Sequence, residues 1–177
     1  MDIVTDIIAN ILPLLSCLGA CVALVILTII DLKVRLLPNT YVLALALFGV
    51  AFHAGTKFYF SPVESMIGGM MIGGGLLYTV RVLANRVYNQ DALGLGDVKL
   101  MMAGGLWLGM SDILTAIIVG SCAGILHGLG MAMRQKMRTG EPVDLGRFAL
   151  PAGPGFIFGL LAVAAYKFQS LPLIIFS

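Results

Sequence analysis

Residues 94–100 read Gly-Leu-Gly-Asp-Val-Lys-Leu, and this stretch decides how the chain is interpreted. It places the carboxylate of Asp97 at the start of a long apolar run. Gly94 and Gly96 permit tight turns and a close approach of the backbone to whatever lies opposite. An ionisable side chain at a membrane segment costs free energy, so its presence indicates a function and a partner group. That partner must come from elsewhere in the chain.

The composition indicates a membrane protein. Of the 177 residues, 59% are hydrophobic and only 11% are charged, whereas soluble domains are about half apolar and about a quarter charged. The sequence therefore predicts an all-α polytopic membrane protein, with residues 1–177 forming one integral membrane domain. The net charge of +2 is too small to indicate a nucleic-acid partner. The N-terminus lacks a basic leader, so we expect the first apolar run to remain as a helix.

Six apolar runs are long enough, or nearly long enough, to cross the hydrocarbon core, which takes about 20 helical residues. They predict transmembrane helices over residues 7–30, 40–58, 62–83, 97–110, 113–133 and 148–168. Gly69 and Gly73 share one face of the third helix, and Gly120, Gly124 and Gly128 share one face of the fifth. Such stripes of small residues predict close helix–helix contacts in lipid.

The basic residues indicate the orientation. With six spans, nine of the eleven lysines and arginines fall on one side, and cytoplasmic loops are enriched in these residues. The larger group is Lys33, Arg35, Arg81, Arg86, Lys99, Arg134, Lys136, Arg138 and Arg147, and the smaller is Lys57 and Lys167. Both termini are then predicted to face outward. Asp31 and Asp97 fall at the cytoplasmic ends of their helices.

Two carboxylates brought close together share one proton and titrate as a unit. Such a pair can deprotonate a water toward a peptide carbonyl and protonate the leaving amine. Asp97 begins a helix and Asp31 is near a helix end, so the helix dipoles favour Asp97 as the base and Asp31 as the proton carrier. Each residue also has a structural interpretation: Asp31 could end its helix beside Lys33, and Asp97 could cap the next helix.

Other polar residues in apolar runs are expected to be structural. His53, near the far end of the second helix, is predicted to be an interfacial side chain. Pro13 is expected in the first turns of the first helix, where proline is tolerated. Cys17, Cys21 and Cys122 form no CxxC pair, which argues against a zinc site and favours packing roles.

Three motifs together resemble type IV prepilin peptidases. Residues 94–100, followed by the Gly-Gly-Leu-Trp-Leu-Gly of residues 104–109, resemble the GxGD signature of that family. Asp31 with Leu37-Pro38-Asn39 resembles its first aspartate and the following Pro-Asn element. Residues 150–154, with Pro151, Gly153 and Pro154, are similar to its proline-glycine element near the last helix.

The resemblance implies an aspartic membrane protease that cuts the basic leader from prepilin-like proteins at the cytoplasmic face of the inner membrane. Asp31 and Asp97 match the catalytic pair, and Gly94, Gly96, Lys99, Pro38, Asn39, Pro151, Gly153 and Pro154 match the supporting motifs. Its expected partners are a prepilin with a hydrophobic N-terminal helix, membrane lipid, and a pilus or secretion machine. Neither a metal nor another cofactor is expected.

The sequence lacks the insertion with two CxxC pairs that many bacterial members carry. It therefore resembles the short, peptidase-only form of tight-adherence (Flp) pili or the archaeal preflagellin peptidases, and methyltransferase activity is not expected. Two further functions remain open: a proton- or ion-coupled transporter subunit and a non-enzymatic pilus assembly factor. Presenilin-like proteases share GxGD but are larger and have a different first motif.

Overall fold

The computed structural model describes residues 3–34, 36–88, 93–139 and 152–171, and all regular secondary structure in these ranges is helical. The helices are α1 (Ile3–Val34), α2 (Asn39–Gly55), α3 (Val63–Tyr88), α4 (Leu95–Thr139) and α5 (Gly153–Lys167). The predicted all-α class is confirmed.

Among the residues that the structure describes, three segments are long and apolar enough to cross a membrane: Ile11–Val34, Val63–Val87 and Leu95–Arg134. The helices α2 and α5 are apolar but shorter, at 17 and 15 residues. The described residues therefore support a membrane protein, with three candidate spans rather than the six predicted. The described helices do not show on which side of the membrane the termini lie, so the outward location of both termini stays a prediction.

The helix α4 is not one straight rod, because it breaks at Gly109 (φ 73°, ψ −176°). Before the break, Gly104 packs against Leu160 of α5; after it, Gly120 packs against Phe156, which lies one turn nearer the start of α5. The chain therefore reverses at Gly109, giving a first arm (residues 95–108) and a second arm (residues 110–139). The predicted boundary between helices four and five, residues 111–112, lies two residues from the observed break.

Glycines bring the backbones of α3 and α5 against α4. A Cβ added at Gly69 would lie 2.5 Å from the carbonyl O of Gly105, and one at Gly159 would lie 2.3 Å from that of Ala116. Gly155 approaches Gly120 and Gly124 in the same way. Because lipid tails are as apolar as the helix surfaces, such contacts depend on close packing rather than on exclusion of water. The close-packing role predicted for both stripes is confirmed at Gly69, Gly73 and Gly120.

The end of the bundle near the break holds an aromatic cluster around Phe52, which lies 4.7 Å from Phe168 and 5.1 Å from Trp107 between ring centroids. His53 belongs to this cluster and is fully buried, so the interfacial position predicted for it is wrong. Its Nε2 lies 3.0 Å from the carbonyl O of Trp107. A carbonyl only accepts, so Nε2–H is the donor. This hydrogen bond replaces the one that water would accept from the ring at the membrane interface.

Lys167 connects the end of α5 to the reversal of α4. Its Nζ donates to the carboxylate of Asp112 at 2.8 Å, to Ser61 Oγ at 3.0 Å and to the carbonyl O of Leu108 at 2.5 Å. The side chain is only 11% exposed. An ammonium that is largely withdrawn from solvent is stable when acceptors replace its hydration shell, so this contact fixes the depth of α5 beside both arms.

Several boundaries differ from the predicted ones. The helix α1 continues to Val34, so Asp31 lies inside its last turn rather than beyond its end. Pro13 lies inside α1 and not in its first turns, because the helix begins at Ile3. The helix α3 extends to Tyr88, which places Arg81 and Arg86 on the helix. The predicted entry of the last helix, residues 148–151, falls outside the described residues.

We expect Gly109→Ala to destabilise the protein by about 1–3 kcal/mol. The backbone of Gly109 lies in a region that is essentially restricted to glycine, and an added Cβ would lie 2.5 Å from Ser65 Oγ. The free energy of unfolding in detergent measures the effect. Gly75→Ala is the matched control, because nothing lies within 4 Å of its Cβ and alanine favours a helix. Equal stability of the two variants would contradict the proposed constraint at the reversal.

Candidate active site

Asp31 and Asp97 are both buried, at 5% and 6% exposure. Asp31 lies in the last turn of α1, and Asp97 lies in the first turn of α4. Each is at a helix terminus, as the sequence predicted. Carboxyl groups are rarely buried without specific partners, so the depth of both groups argues against a purely structural surface role for either.

Gly153, the first residue of α5, brings the two carboxyl groups to one place. A Cβ built on Gly153 would lie 2.6 Å from Oδ2 of Asp31 and 3.5 Å from Oδ1 of Asp97. The distance between Asp31 Oδ2 and Asp97 Oδ1 therefore cannot exceed the sum of these two distances. Only glycine leaves room for both carboxylates against the backbone of α5, so three distant segments of the chain meet at this residue.

The loop before α4 positions Asp97. The backbone N–H of Gly94 donates a hydrogen bond to the Asp97 carboxylate, and the Cα of Gly94 lies so close that an added Cβ would be 3.1 Å from Asp97 Oδ2. Oδ1 of Asp97 is buried and accepts no hydrogen bond from the described residues. One oxygen is thus held by the loop, and the other faces Asp31 and Gly153.

The two aspartate motifs also contact each other outside the carboxyl groups. Gly96 packs on the side chain of Leu37, which a Cβ at position 96 would approach to 2.7 Å. Lys99 Nζ donates to Asn39 Oδ1 at 2.9 Å. The segment that follows Asp31 therefore packs along the segment that follows Asp97, and these contacts fix the relative register of α1, α2 and α4.

Prolines define where two of these elements begin. Pro38 precedes α2 with extended backbone (φ −63°, ψ 131°) and turns the chain from α1 into α2. Pro154 lies in the first turn of α5, where the missing N–H removes no helical hydrogen bond. Pro151, the third predicted motif residue in this region, falls outside the described residues.

All the other predicted site residues thus lie near the two aspartates or support the segments that carry them. Sequence reasoning missed the direct contact of Gly153 with both carboxylates and the pairing of Lys99 with Asn39. The proline-glycine element did indicate that Gly153 belongs to the site. A single sequence, however, does not show which helix ends a glycine will contact. Within the described ranges, no group of three or more His, Cys, Asp or Glu side chains could hold a metal ion.

The pair of buried carboxyls has the chemistry of an acid–base dyad. At close range one proton is shared, so one group can accept a proton while the other donates one. Comparison with known proteins identifies the family: residues 18–129 match the type IV leader peptidase family (Peptidase_A24), and this range is well over half of the chain. The chain belongs to this family.

Several curated relatives of this leader peptidase family member carry the name prepilin leader peptidase/N-methyltransferase. The protein of Pectobacterium carotovorum subsp. carotovorum is 30% identical over 154 residues, covering 85% of this chain and 53% of that protein. The protein of Burkholderia pseudomallei (strain 1026b) is 29% identical over 145 residues, covering 81% and 46%. The Escherichia coli (strain K12) protein is 29% identical over 140 residues, covering 79% and 60%.

The chain spans about half the length of the curated relatives it matches. No solved structure matches it significantly.

We expect Lys99 and Asn39 to be energetically coupled. A hydrogen bond of this kind contributes about 0.5–1.5 kcal/mol net, and the exposure of both side chains places the expected coupling at the lower end. The measurement is a double-mutant cycle of Lys99→Met and Asn39→Ala on the free energy of unfolding. In the control cycle, Thr40→Ala replaces Asn39→Ala and should be additive with Lys99→Met. Additivity in both cycles would show that the two motifs are not coupled here.

Proposed function

We propose that this chain is a membrane aspartic endopeptidase that removes the basic leader of type IV prepilin-like or preflagellin-like proteins. The observation that carries the proposal is the contact of one glycine, Gly153, with the carboxyl groups of both Asp31 and Asp97. A buried acid pair at helix ends has no evident structural purpose, and it suits general acid–base hydrolysis of an amide.

In the proposed reaction, Asp97 accepts a proton from a water while the water oxygen attacks the carbonyl carbon of the scissile peptide bond. Asp31 donates its proton to the carbonyl oxygen as the tetrahedral intermediate forms. The intermediate then collapses, its C–N bond breaks, and the proton on Asp97 passes to the leaving amine. Asp31 recovers a proton from the intermediate's hydroxyl, so the pair ends with one proton, as it began.

The roles of the two aspartates follow from their helix ends. The N-terminus of α4 and the N–H of Gly94 stabilise negative charge on Asp97, which suits the base. Asp31 lies at the negative end of the α1 dipole, which favours its protonated form. No metal or cofactor takes part in the proposed steps.

The proposed topology has six transmembrane helices with both termini outside and the dyad at the cytoplasmic face of the inner membrane. The reversal at Gly109 supports the count, because it divides α4 into two arms that run in opposite directions beside α5. The basic residues support the orientation: Lys99 lies at the dyad end, where cytoplasmic residues are expected, and Lys167 lies at the opposite end. We propose that residues 1–177 form one integral membrane domain.

The proposed substrate is a prepilin-like protein whose hydrophobic N-terminal helix lies in the membrane beside the bundle. The names of the relatives, prepilin leader peptidase/N-methyltransferase, support this substrate class. Membrane lipid and a pilus or secretion machine are the other proposed partners. The proposal covers peptide cleavage alone, because the sequence has no CxxC pair of the kind linked to methylation in the family.

We expect Asp31→Asn and Asp97→Asn each to lower leader cleavage of a co-expressed prepilin by at least about 100-fold. General acid–base catalysis contributes about 10²–10⁴-fold, and asparagine keeps the shape of the side chain but cannot exchange the proton. The conversion of prepilin to its shorter form, followed on a gel, measures the rate.

Asp112→Asn is the matched control, because Asp112 is also a carboxylate of α4 but lies at the Lys167 end. Because asparagine keeps an acceptor oxygen for Lys167, this variant should cleave at close to the wild-type rate if the protein remains in the membrane. Wild-type cleavage by either dyad variant would remove that residue from catalysis. If such a variant instead altered proton or ion flux in vesicles, the transporter function would be favoured.

We expect Gly153→Ala to lower cleavage by about 10- to 100-fold with little loss of membrane-inserted protein. The new methyl group would overlap Asp31 Oδ2, and a displacement on the order of 1 Å at a catalytic group costs about 10²-fold. Gly124→Ala is the control: this glycine also lies along α5, but nothing is within 4 Å of its added Cβ. Equal cleavage by the two variants would contradict the assignment of Gly153 to the site.

A further inference from the structure

An apolar cavity of about 110 Å³ lies between α1, α2, α4 and α5, away from the two aspartates. We call it the mid-bundle cavity. The residues that define it are Ala20 and Leu24 of α1, Trp107 of α4, and Leu160 and Ala164 of α5. Its wall is almost entirely apolar, so a polar ligand would find no hydrogen-bond partner there. An apolar group is its natural occupant.

The mid-bundle cavity opens toward the surrounding membrane. Cys21 and Leu161 contribute to its wall and are exposed on the outside of the bundle, on α1 and α5. The helix α1 packs chiefly on α2 and touches α5 only lightly. A group carried by a helix that lies along the α1–α5 side can therefore enter the cavity without separating the glycine-packed helices.

Three independent helices place the cavity at one depth below the dyad. On α1 its wall begins about seven residues from Asp31; on the first arm of α4 it begins about seven residues after Asp97; and on α5 it begins about seven residues after Gly153. The far edge lies roughly fourteen residues away on α1 and α5. At about 1.5 Å per helical residue, the cavity spans roughly 10–20 Å from the acid pair along the bundle axis.

From this alignment we propose that the mid-bundle cavity is a specificity subsite that takes one bulky apolar side chain from the substrate's hydrophobic helix. The proposal rests on the proposed function, since it requires a substrate that enters the membrane from the dyad. A segment that crosses the hydrocarbon is helical, so it advances at the same rise per residue as the bundle. The side chain that fits then belongs to about the tenth residue beyond the scissile bond, within a window of roughly seven to fourteen.

The volume and the chemistry favour this occupant over a lipid chain. A dry apolar cavity of about 150 Å³ can hold a benzene-sized group, so the mid-bundle cavity, at about 110 Å³, suits a single leucine-sized side chain. A side chain at a fixed distance from the scissile bond would also hold that bond in register with the dyad, which is where positioning raises the rate. For a lipid tail, by contrast, the distance of the cavity from the acid pair would make no difference to binding.

The test combines cavity filling with compensation in the substrate. Ala20→Phe fills the cavity, and Leu18→Phe places the same phenylalanine side chain on the exposed face of α1, at 63% exposure. Cleavage is measured on a prepilin series in which each large apolar residue from the fifth to the sixteenth beyond the scissile bond is changed singly to alanine. For the wild-type enzyme, we expect one substitution in the window of seven to fourteen to lower kcat/KM by about tenfold or more.

Ala20→Phe should lower kcat/KM on the unchanged substrate by about tenfold, and the same single alanine substitution should restore cleavage. Leu18→Phe should behave as wild type on every substrate. Unchanged cleavage by Ala20→Phe, or a loss that no substrate substitution compensates, would overturn the proposal and leave the cavity to lipid. If wild type cleaves no prepilin in the series, the proposed function itself fails, and that outcome is distinct from a loss confined to Ala20→Phe.

A second measurement does not depend on the folding of Ala20→Phe. Cys17 and Cys21 line the cavity, whereas Cys122 is exposed on the second arm. In the Asp97→Asn background, a single cysteine is moved along the substrate helix and oxidised with the enzyme in membranes. Disulfide formation with Cys17 or Cys21 should be greatest when the substrate cysteine lies seven to fourteen residues beyond the scissile bond. It should be lost in the double variant Cys17→Ala/Cys21→Ala. Equal crosslinking at all positions, or only with Cys122, would overturn the proposal.

Discussion

Two carboxyl groups are buried against the first turn of α5, and the absence of a side chain at Gly153 is what makes this possible. A carboxylate at a membrane helix end is expensive unless it has a partner, so each aspartate depends on the helix that carries the other. The α5 backbone must approach both groups closely, and it can do so only where the residue has no Cβ. The depth and register of α1, α4 and α5 are consequently tied to one point.

The rest of the bundle satisfies that constraint by two different means. Along its length, glycine contacts between α4 and its neighbours replace the hydrophobic drive that water supplies in soluble proteins. At the end opposite the dyad, the ammonium of Lys167 binds acceptors from the reversal of α4 and from Ser61. The helix α5 is therefore held at both ends by polar contacts and between them by backbone packing. A shift of α5 along its axis would break the contacts at both of its ends at once.

Much of this arrangement follows from the sequence, and the exceptions have physical causes. Asp31 and Asp97 could be paired from the positive-inside pattern, because charge segregation reports which helix ends share a membrane side. The glycine stripes were visible as a period of four. The buried position of His53 was not predictable, since its partner is the carbonyl of Trp107, more than fifty residues away. A backbone acceptor leaves no trace in the side-chain pattern.

The small residues of α1 behave differently from the glycines of α3, α4 and α5. Gly69, Gly105 and Gly159 each face a backbone that fills the space they leave, as close packing in lipid requires. Ala20 and Cys17 are also small, yet they face the mid-bundle cavity rather than a neighbouring helix. Among the described residues, the helices thus pack tightly around the dyad, whereas the α1–α5 side leaves room at the mid-bundle cavity. Under the proposed function, that difference gives the acid pair and the cavity one common path for a substrate helix.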